Sequence, residues 1–517
     1  MRAALLVAAA ALGTAALAGP AAAAPLTVGP VSVASTLASP FAPGCGGPGE
    51  AGPSSVNYAN SEVEPHLAVN PTNGSVMVGG WQQDRWSDGG AHGNVYAFST
   101  DAGATWTPSS PAFSRCAGGT ATSARQGTTL APRPSDYQRA TDPWVSYGPA
   151  GRVHAIAIGF DNSTARNAIL AAFSNDNGAT WSAPRELRFD NPRALGNNFN
   201  DKETLTADPT DANLVYATWQ RIVSPSEVSS GKAYENSLSW YSDAWFTRST
   251  NGGVTWEAAR SIFHPRGRHN QTIGNQVEVL PNGTLVNGFN FIQGVSNNDK
   301  QRGYNVAVLR STNKGQTWSA EPIHVSRLLV DDVHDPDTGV GVRTGDIIPD
   351  FAVDFSNTAT RGNLYAVWMD TRFNDPDHND ILLSRSRDGG RTWSAPTVVD
   401  QAPAGVDAFT ATVDVDGAGR VAVSYYDFRN DVAGDGVLST DLWVAHSHDG
   451  GQTFAAADET RMTPASFDMR TAPFARGYFV GDYTGLSHFG SRIDALWVDA
   501  NDGNTANRTD VLHRSGQ

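Results

Sequence analysis

The chain has 517 residues, of which 9% are aromatic and 17% charged, with 14 Trp. This excludes a disordered chain and a heptad-built coiled coil. The formal net charge of −15 excludes the basic footprint that nucleic-acid binding needs, though a local arginine cluster would still suit a small anionic ligand.

At the N-terminus, Arg2 precedes an apolar run, Ala3–Ala18, and the small residues Ala21–Ala24. This reads as a secretory signal peptide over residues 1–24, and the alanine-rich leader suggests a bacterial, extracellular protein. Every later apolar run is too short to span a bilayer. Cys45 and Cys116 are the two cysteines, and in an oxidising compartment they are expected to pair. Closing that 71-residue separation would stabilise by about 4 kcal/mol on the chain-entropy model.

One eight-residue element then recurs six times. It reads Ser99-Thr-Asp-Ala-Gly-Ala-Thr-Trp106, then Ser174-Asn-Asp-Asn-Gly-Ala-Thr-Trp181 and Ser249-Thr-Asn-Gly-Gly-Val-Thr-Trp256. It returns as Ser311-Thr-Asn-Lys-Gly-Gln-Thr-Trp318, Ser386-Arg-Asp-Gly-Gly-Arg-Thr-Trp393 and Ser447-His-Asp-Gly-Gly-Gln-Thr-Phe454. The third-position Asp or Asn suits an Asx turn, and the glycine allows positive φ. A tight hairpin is expected, with a structural carboxylate rather than a reacting one.

Each element lies inside a longer unit. In the fifth, Asp350–Asp354, Asn363–Trp368, Ile381–Arg385 and Pro396–Val399 read as four successive strands. Four antiparallel strands per repeat describe a β-propeller blade, so the chain is expected to be all-β. After the sixth element, residues 482–487, 493–498 and 510–513 repeat three strands, and Leu26–Val33 resembles the missing fourth. The expectation is one propeller domain over residues 25–517, with seven blades closed by strand 26–33 and six as the alternative. Residues 224–240 and 330–345 read as loop insertions.

At the repeated element the chain resembles the sialidase (neuraminidase) superfamily, whose Asp boxes read Ser-x-Asp-x-Gly-x-Thr-Trp. The resemblance implies a propeller and an exo-α-sialidase-like glycosidase. In the family three arginines hold the substrate carboxylate, a tyrosine activated by a glutamate is the nucleophile, and an aspartate is the acid/base. Glu62-Val-Glu-Pro-His66 stands where the family has its first arginine, and Gly477-Tyr-Phe-Val-Gly-Asp-Tyr483 where it has its tyrosine.

Independently of that resemblance, charge gathers at the ends of second strands and the starts of inner strands, on the face away from the repeated turns. Inner strands begin with Glu64 and His66, Asp142, Asp201-Lys202-Glu203, Gln276 and Glu278, Asp346 and Asp350, and Asp482-Tyr483. Arg85, Arg343, Arg372, Arg429 and Arg476, with His66, are the candidate substrate-binding residues, because a guanidinium fork matches a carboxylate. Arg372 and Arg429 also fit a repeated Asp-x-Arg ion pair. Tyr483, or Tyr478, is the candidate nucleophile, with Glu203 or Glu278 as its base and Asp84 or Asp142 as the acid.

The expected substrate is an anionic glycan, the expected state a monomer. A polysaccharide lyase using His66 or a tyrosine as base, and a noncatalytic glycan- or protein-binding propeller, are the alternatives. No cofactor is required. Asp331, Asp332, His334, Asp335 and Asp337 form an oxygen-rich loop that reads first as a solvated loop, with structural calcium as the alternative.

Overall fold

The computed structural model describes residues 24–191, 197–224, 241–266, 270–294 and 303–517. The leader therefore lies outside the described residues except for Ala24, and so does most of the 224–240 insertion. The described chain is all-β, apart from two single-turn 3-10 segments at Ala456–Asp458 and Met469–Thr471. No helix among the described residues is long and apolar enough to cross a membrane.

Strands follow one another as four-stranded antiparallel meanders. The first joins Asn57–Val69, Met77–Trp86, Ala91–Ser99 and Thr107–Ser109. The fifth joins Asp350–Val353, Leu364–Asp370, Asp380–Ser386 and Thr397–Val398, close to the strands read from sequence. Strand Leu364–Asp370 is buried along its whole length, because a neighbouring meander covers each of its faces. Leu364, Ala366 and Trp368 pack with Val286, Val306 and Val308 on one side. Tyr365, Val367 and Met369 point the other way and pack with Val413, Val421 and Val423. The period-2 alternation of a strand thus divides one apolar run between two cores.

The repeated element makes the turn between third and fourth strands. In the fifth copy Asp388 Oδ1 accepts from Thr392 N–H at 2.9 Å, and Oδ2 accepts from Thr392 Oγ1 at 2.6 Å. Ser386 Oγ accepts from Gly390 N–H at 2.8 Å. Asn313 does the same work in the fourth copy, accepting from Thr317 N–H at 2.9 Å. An amide replaces the carboxylate without changing the turn, so the group is structural. Successive positive φ values, such as 57° at Lys314 and 78° at Gly315, reverse the chain tightly enough for a twisted hairpin.

The last three long strands, Gly485–Phe489, Arg492–Ala500 and Thr509–Gly516, are completed by Ser32–Val33, with Ser32 opposite His513 and Val33 opposite Leu512. The expected strand 26–33 is shorter than the sequence suggested. Only an isolated bridge, Val28 to Gly516, precedes Ser32–Val33, because Pro30 between them has no N–H to donate. This final sheet is tied to the first meander: Glu62 N–H donates to Thr509 Oγ1 at 2.9 Å, and Val69 N–H to Ser487 Oγ at 3.2 Å. Cys45 and Cys116 are disulfide-bonded.

Candidate functional site

The innermost strands share a device that positions the site. Pairing with the second strand slips by one residue between Val63 and His66, between Thr141 and Trp144, and between Asp201 and Thr204. At each slip one residue is left-handed: Glu64 (φ 55°), Asp142 (φ 53°) and Lys202 (φ 48°). The same bulge recurs at Gly274 (φ 65°) and Thr410 (φ 54°). Where it falls on a glycine the conformation costs nothing. At Glu64, Asp142 and Lys202 it is strain, of order 1 kcal/mol or more each, which is characteristic of positions that aim a side chain.

These bulges converge on one ion cluster. Lys202 Nζ lies 3.1 Å from Glu64 Oε1, 3.5 Å from Asp142 Oδ2 and 2.7 Å from Asp482 Oδ2. Burial pulls the Lys202 ammonium down, but Asp142, Asp482 and Glu64 outweigh it and hold it above its ordinary value. Arg343 arrives from the far side, where Val342–Arg343 pairs in parallel with Tyr478–Phe479. Its Nε donates to Asp482 Oδ1 at 2.9 Å and its Nη2 to Oδ2. Burial raises the Asp482 carboxyl, but Arg343 and Lys202 overcome that and drive it well below the usual range. Arg85 and Arg343 both lie over the Phe479 ring, 4.9 and 4.2 Å from its centroid. Arg85 also donates to Gln82 Oε1 at 2.6 Å, and Gln82 in turn donates to Glu64. Burial lifts Glu64 to about 8, with Lys202 opposing it.

Beside the cluster is a cavity of about 40 Å³, room for a few water molecules, lined among others by Asp142, Trp144, Glu203, Asp350, Asp482 and Tyr483. Among the described residues neither carboxyl oxygen of Glu203 has a hydrogen-bond partner, although both are buried. Burial first, and then the charge of Asp142, push Glu203 well above its ordinary value, which favours its protonated form. Half-buried aromatic rings form one wall: His66 stacks on Trp144 at 3.6 Å, and Trp144 meets Tyr483 edge-on at 5.7 Å.

The structure therefore brings Arg85, Arg343, Asp142, Glu203, Tyr483 and His66 to one centre, but with several altered prospects. Arg343 already has a carboxylate in its fork, which a substrate acid would have to displace. Glu203, pushed toward its protonated form, is ill suited to serve as a base for Tyr483. The Tyr483 hydroxyl donates to Pro143 C=O at 3.4 Å, and burial together with Glu64, Asp142, Glu203 and Asp482 pushes the phenol well above its ordinary range. Burial lowers His66 to about 3, and its Nδ1 accepts from Val145 N–H at 3.4 Å.

Other residues singled out in the sequence lie elsewhere. Asp84 accepts from Asn60 N–H and Ser39 Oγ, each at 2.6 Å, and lies 2.9 Å from His92 Nδ1. It anchors a loop instead of facing the cavity. Arg372 is bound bidentately by Asp370 at 2.8 and 2.7 Å. Arg429 lies 2.5 Å from both Asp427 Oδ2 and Glu459 Oε2. Trp368 Nε1 donates to Asp370 at 2.9 Å and Trp443 Nε1 to Asp427 at 3.0 Å, so Asp-x-Arg is a repeated structural unit. Arg476 is exposed and left-handed (φ 70°), three residues before Phe479, and does not line the cavity. Tyr478 meets Phe474 edge-on at 5.9 Å, away from the cavity, and burial followed by Asp335 raises its phenol. Glu278 accepts from Gln276 Nε2 at 3.0 Å and is pushed up by burial and Asp350.

In the oxygen-rich loop, Asp335 is gripped by Arg470 at 2.7 and 2.9 Å, and Asp337 by the same guanidinium at 2.9 Å. An arginine thus supplies positive charge to this loop.

Glu64 and Lys202, the charged bulge residues, and Asp482, which joins Lys202 to Arg343, were noted in the sequence only as strand starts. Trp144 and Phe479 had no place in the expected site. A signal was present in the match between Glu64-Pro65-His66 and Asp142-Pro143-Trp144, an acid, a proline and an aromatic at the same point of successive inner strands.

No protein-family model and no curated protein matches the chain. Among solved structures it is similar to the Hadza microbial sialidase Hz136, at 16% identity over 74% of this chain and 66% of that one, with a TM-score of 0.46. It is similar to an α-L-arabinanase of Penicillium chrysogenum solved with arabinobiose, at 10% identity over 89% of this chain and 98% of that one, with a TM-score of 0.41. It is also similar to Trypanosoma rangeli sialidase, at 12% identity over 76% and 58% of the two chains, with a TM-score of 0.42. The chain spans less than two thirds of each sialidase it matches here.

Proposed function

We propose that the protein is an exported glycoside hydrolase that reacts at the cavity beside Glu203, on a sugar carrying no carboxylate at the reacting ring. In this reading the meanders are seven blades of one closed domain over residues 25–517. The observation that carries the proposal is the contrast between two carboxyl groups lining one cavity. Glu203 is buried, without a partner among the described residues and pushed toward its protonated form, which suits it to give a proton to a leaving oxygen. Asp482 is ionised, held by Arg343 and Lys202. Groups whose environments drive their proton affinities apart make an acid and a charge stabiliser in the same site. The cavity has room for water, and in this reading a sugar ring would stand at its mouth against Trp144 and Tyr483. Terminal sialic acid, the substrate implied by the sequence resemblance, calls for an open guanidinium fork, and Asp482 fills that of Arg343.

The test is a panel of nitrophenyl furanosides and pyranosides with a sialoside beside them. Turnover of an uncharged glycoside is expected, falling by about 10²–10⁴-fold in Glu203→Gln. Turnover of the sialoside alone, or a Glu203→Gln variant as active as the parent, would overturn the proposal. Retained glycan binding with no turnover would favour a binding propeller.

A further inference from the structure

The geometry points to a second site, a zinc-type metal site built from His446, His448 and Asp458, none of which lines the cavity. His446 is the last residue but one of the strand Ser439–Ser447, and His448 follows two residues later on the same side of the chain. The fourth strand of that meander pairs Val444 with Thr460 and Ala445 with Glu459, so the next step along the register brings Asp458 opposite His446. The three side chains offer ligand atoms that all lie within 4.8 Å of one another.

Distances separate a metal site from a hydrogen-bonded cluster. His448 Nε2 is 3.4 Å and His446 Nε2 3.7 Å from the same Asp458 Oδ1. Both exceed the usual ~2.7–3.2 Å of a hydrogen bond. Four ligands held tetrahedrally at about 2.0–2.1 Å from zinc are themselves about 3.3–3.4 Å apart. The observed spacings need only a few tenths of an ångström of adjustment to meet that. Among the described residues the Nδ1 of the buried His446 ring also has no hydrogen-bond partner, an unusual state for a group only 2% exposed.

The repeat supplies an internal comparison. The pair flanking the first serine of the element is Phe98 and Thr100, Phe173 and Asn175, Arg248 and Thr250, Arg310 and Thr312, and Arg385 and Arg387 in the other five copies. Turn formation therefore does not ask for histidine on either side. Two histidines and a carboxylate suit zinc, with water at the remaining position on the side of exposed His448.

The site would act as a staple. Leu26 N–H donates to Thr460 Oγ1 at 2.8 Å, two residues beyond Asp458. Thr27 N–H donates to Gln517 C=O at 2.8 Å. The metal would fix the segment end beside which the N-terminal residues run, where they join the sixth meander to the final sheet.

The test uses the full chain stripped with EDTA, then given zinc chloride and passed through gel filtration. About one zinc per chain should be retained, and the melting temperature should rise with zinc concentration. His448→Ala alters an exposed side chain and should keep its zinc-free melting temperature while losing at least ten-fold in zinc affinity. Asp458→Asn should lose the zinc-dependent rise as well. A parent protein that retains no stoichiometric zinc, or a His448→Ala variant that binds it equally well, would overturn the assignment.

Discussion

Asp482 occupies the guanidinium fork of Arg343, with Nε 2.9 Å from Oδ1 and Nη2 on Oδ2, and its Oδ2 also takes Lys202 at 2.7 Å. One buried carboxylate thus bridges two cations. Asp482→Asn would leave the Arg343 fork without its carboxylate and Lys202 with only Glu64 and Asp142, and should cost about 3–5 kcal/mol, measured by denaturant unfolding. Arg343→Lys, which keeps the charge but loses the fork, should cost less. Free sialic acid should produce no rise in melting temperature, since its carboxylate finds the fork filled. A destabilisation no larger than that of a surface substitution would contradict the cluster.

Burial and Asp142 push Glu203 toward its protonated form, and among the described residues its carboxyl makes no hydrogen bond. Glu203→Gln is therefore expected to leave thermal stability at neutral pH unchanged within about 1 kcal/mol, because the amide keeps the shape of the neutral carboxyl and no hydrogen bond is lost. A large loss of stability would show that the carboxylate is ionised and paired.

Asp400 accepts from Ile381 N–H at 2.7 Å and Ala402 N–H at 3.1 Å, yet burial and then Asp380 lift it to about 7. Its folded form binds the proton more tightly than the unfolded chain does between the ordinary 3.8 and about 7. Raising pH through that window draws the proton off and lowers stability, which levels out above it. Asp400→Asn should flatten this part of the stability profile, as read by melting temperatures from pH 4 to 8. An unchanged slope would contradict the assignment.

Asp388 behaves oppositely. Slight burial works upward, but hydrogen bonds from Thr392, Ser386 and Arg391 hold it at about 2. Its contribution is present above the ordinary 3.8 and lost as pH falls through about 2. Asp388→Ala should cost about 1 kcal/mol at neutral pH, with kcat unaffected per folded molecule. A variant that folds fully but turns over slowly would place chemistry at the turn.

The repeated turns and the fifth-meander strands were legible because their causes are local. Asp388 bonds to residues within four positions, and Leu364–Asp370 is apolar because both faces are covered. Asp-x-Arg was visible for the same reason, although only the fold showed that Asp370 and Asp427 consume Arg372 and Arg429. The centre was not legible in this way. Which inner-strand residue turns left-handed depends on a one-residue slip against the partner strand, and neither the phase of that slip nor its depth is written in local preference. Arg343 and Asp482 are 139 residues apart, and only the parallel contact of Val342–Arg343 with Tyr478–Phe479 brings them together. The sequence alone determined the repeating unit, its turns and the face on which charge gathers. The tertiary structure decided which charges cancel, because pairing and desolvation are properties of neighbours the chain supplies from far away.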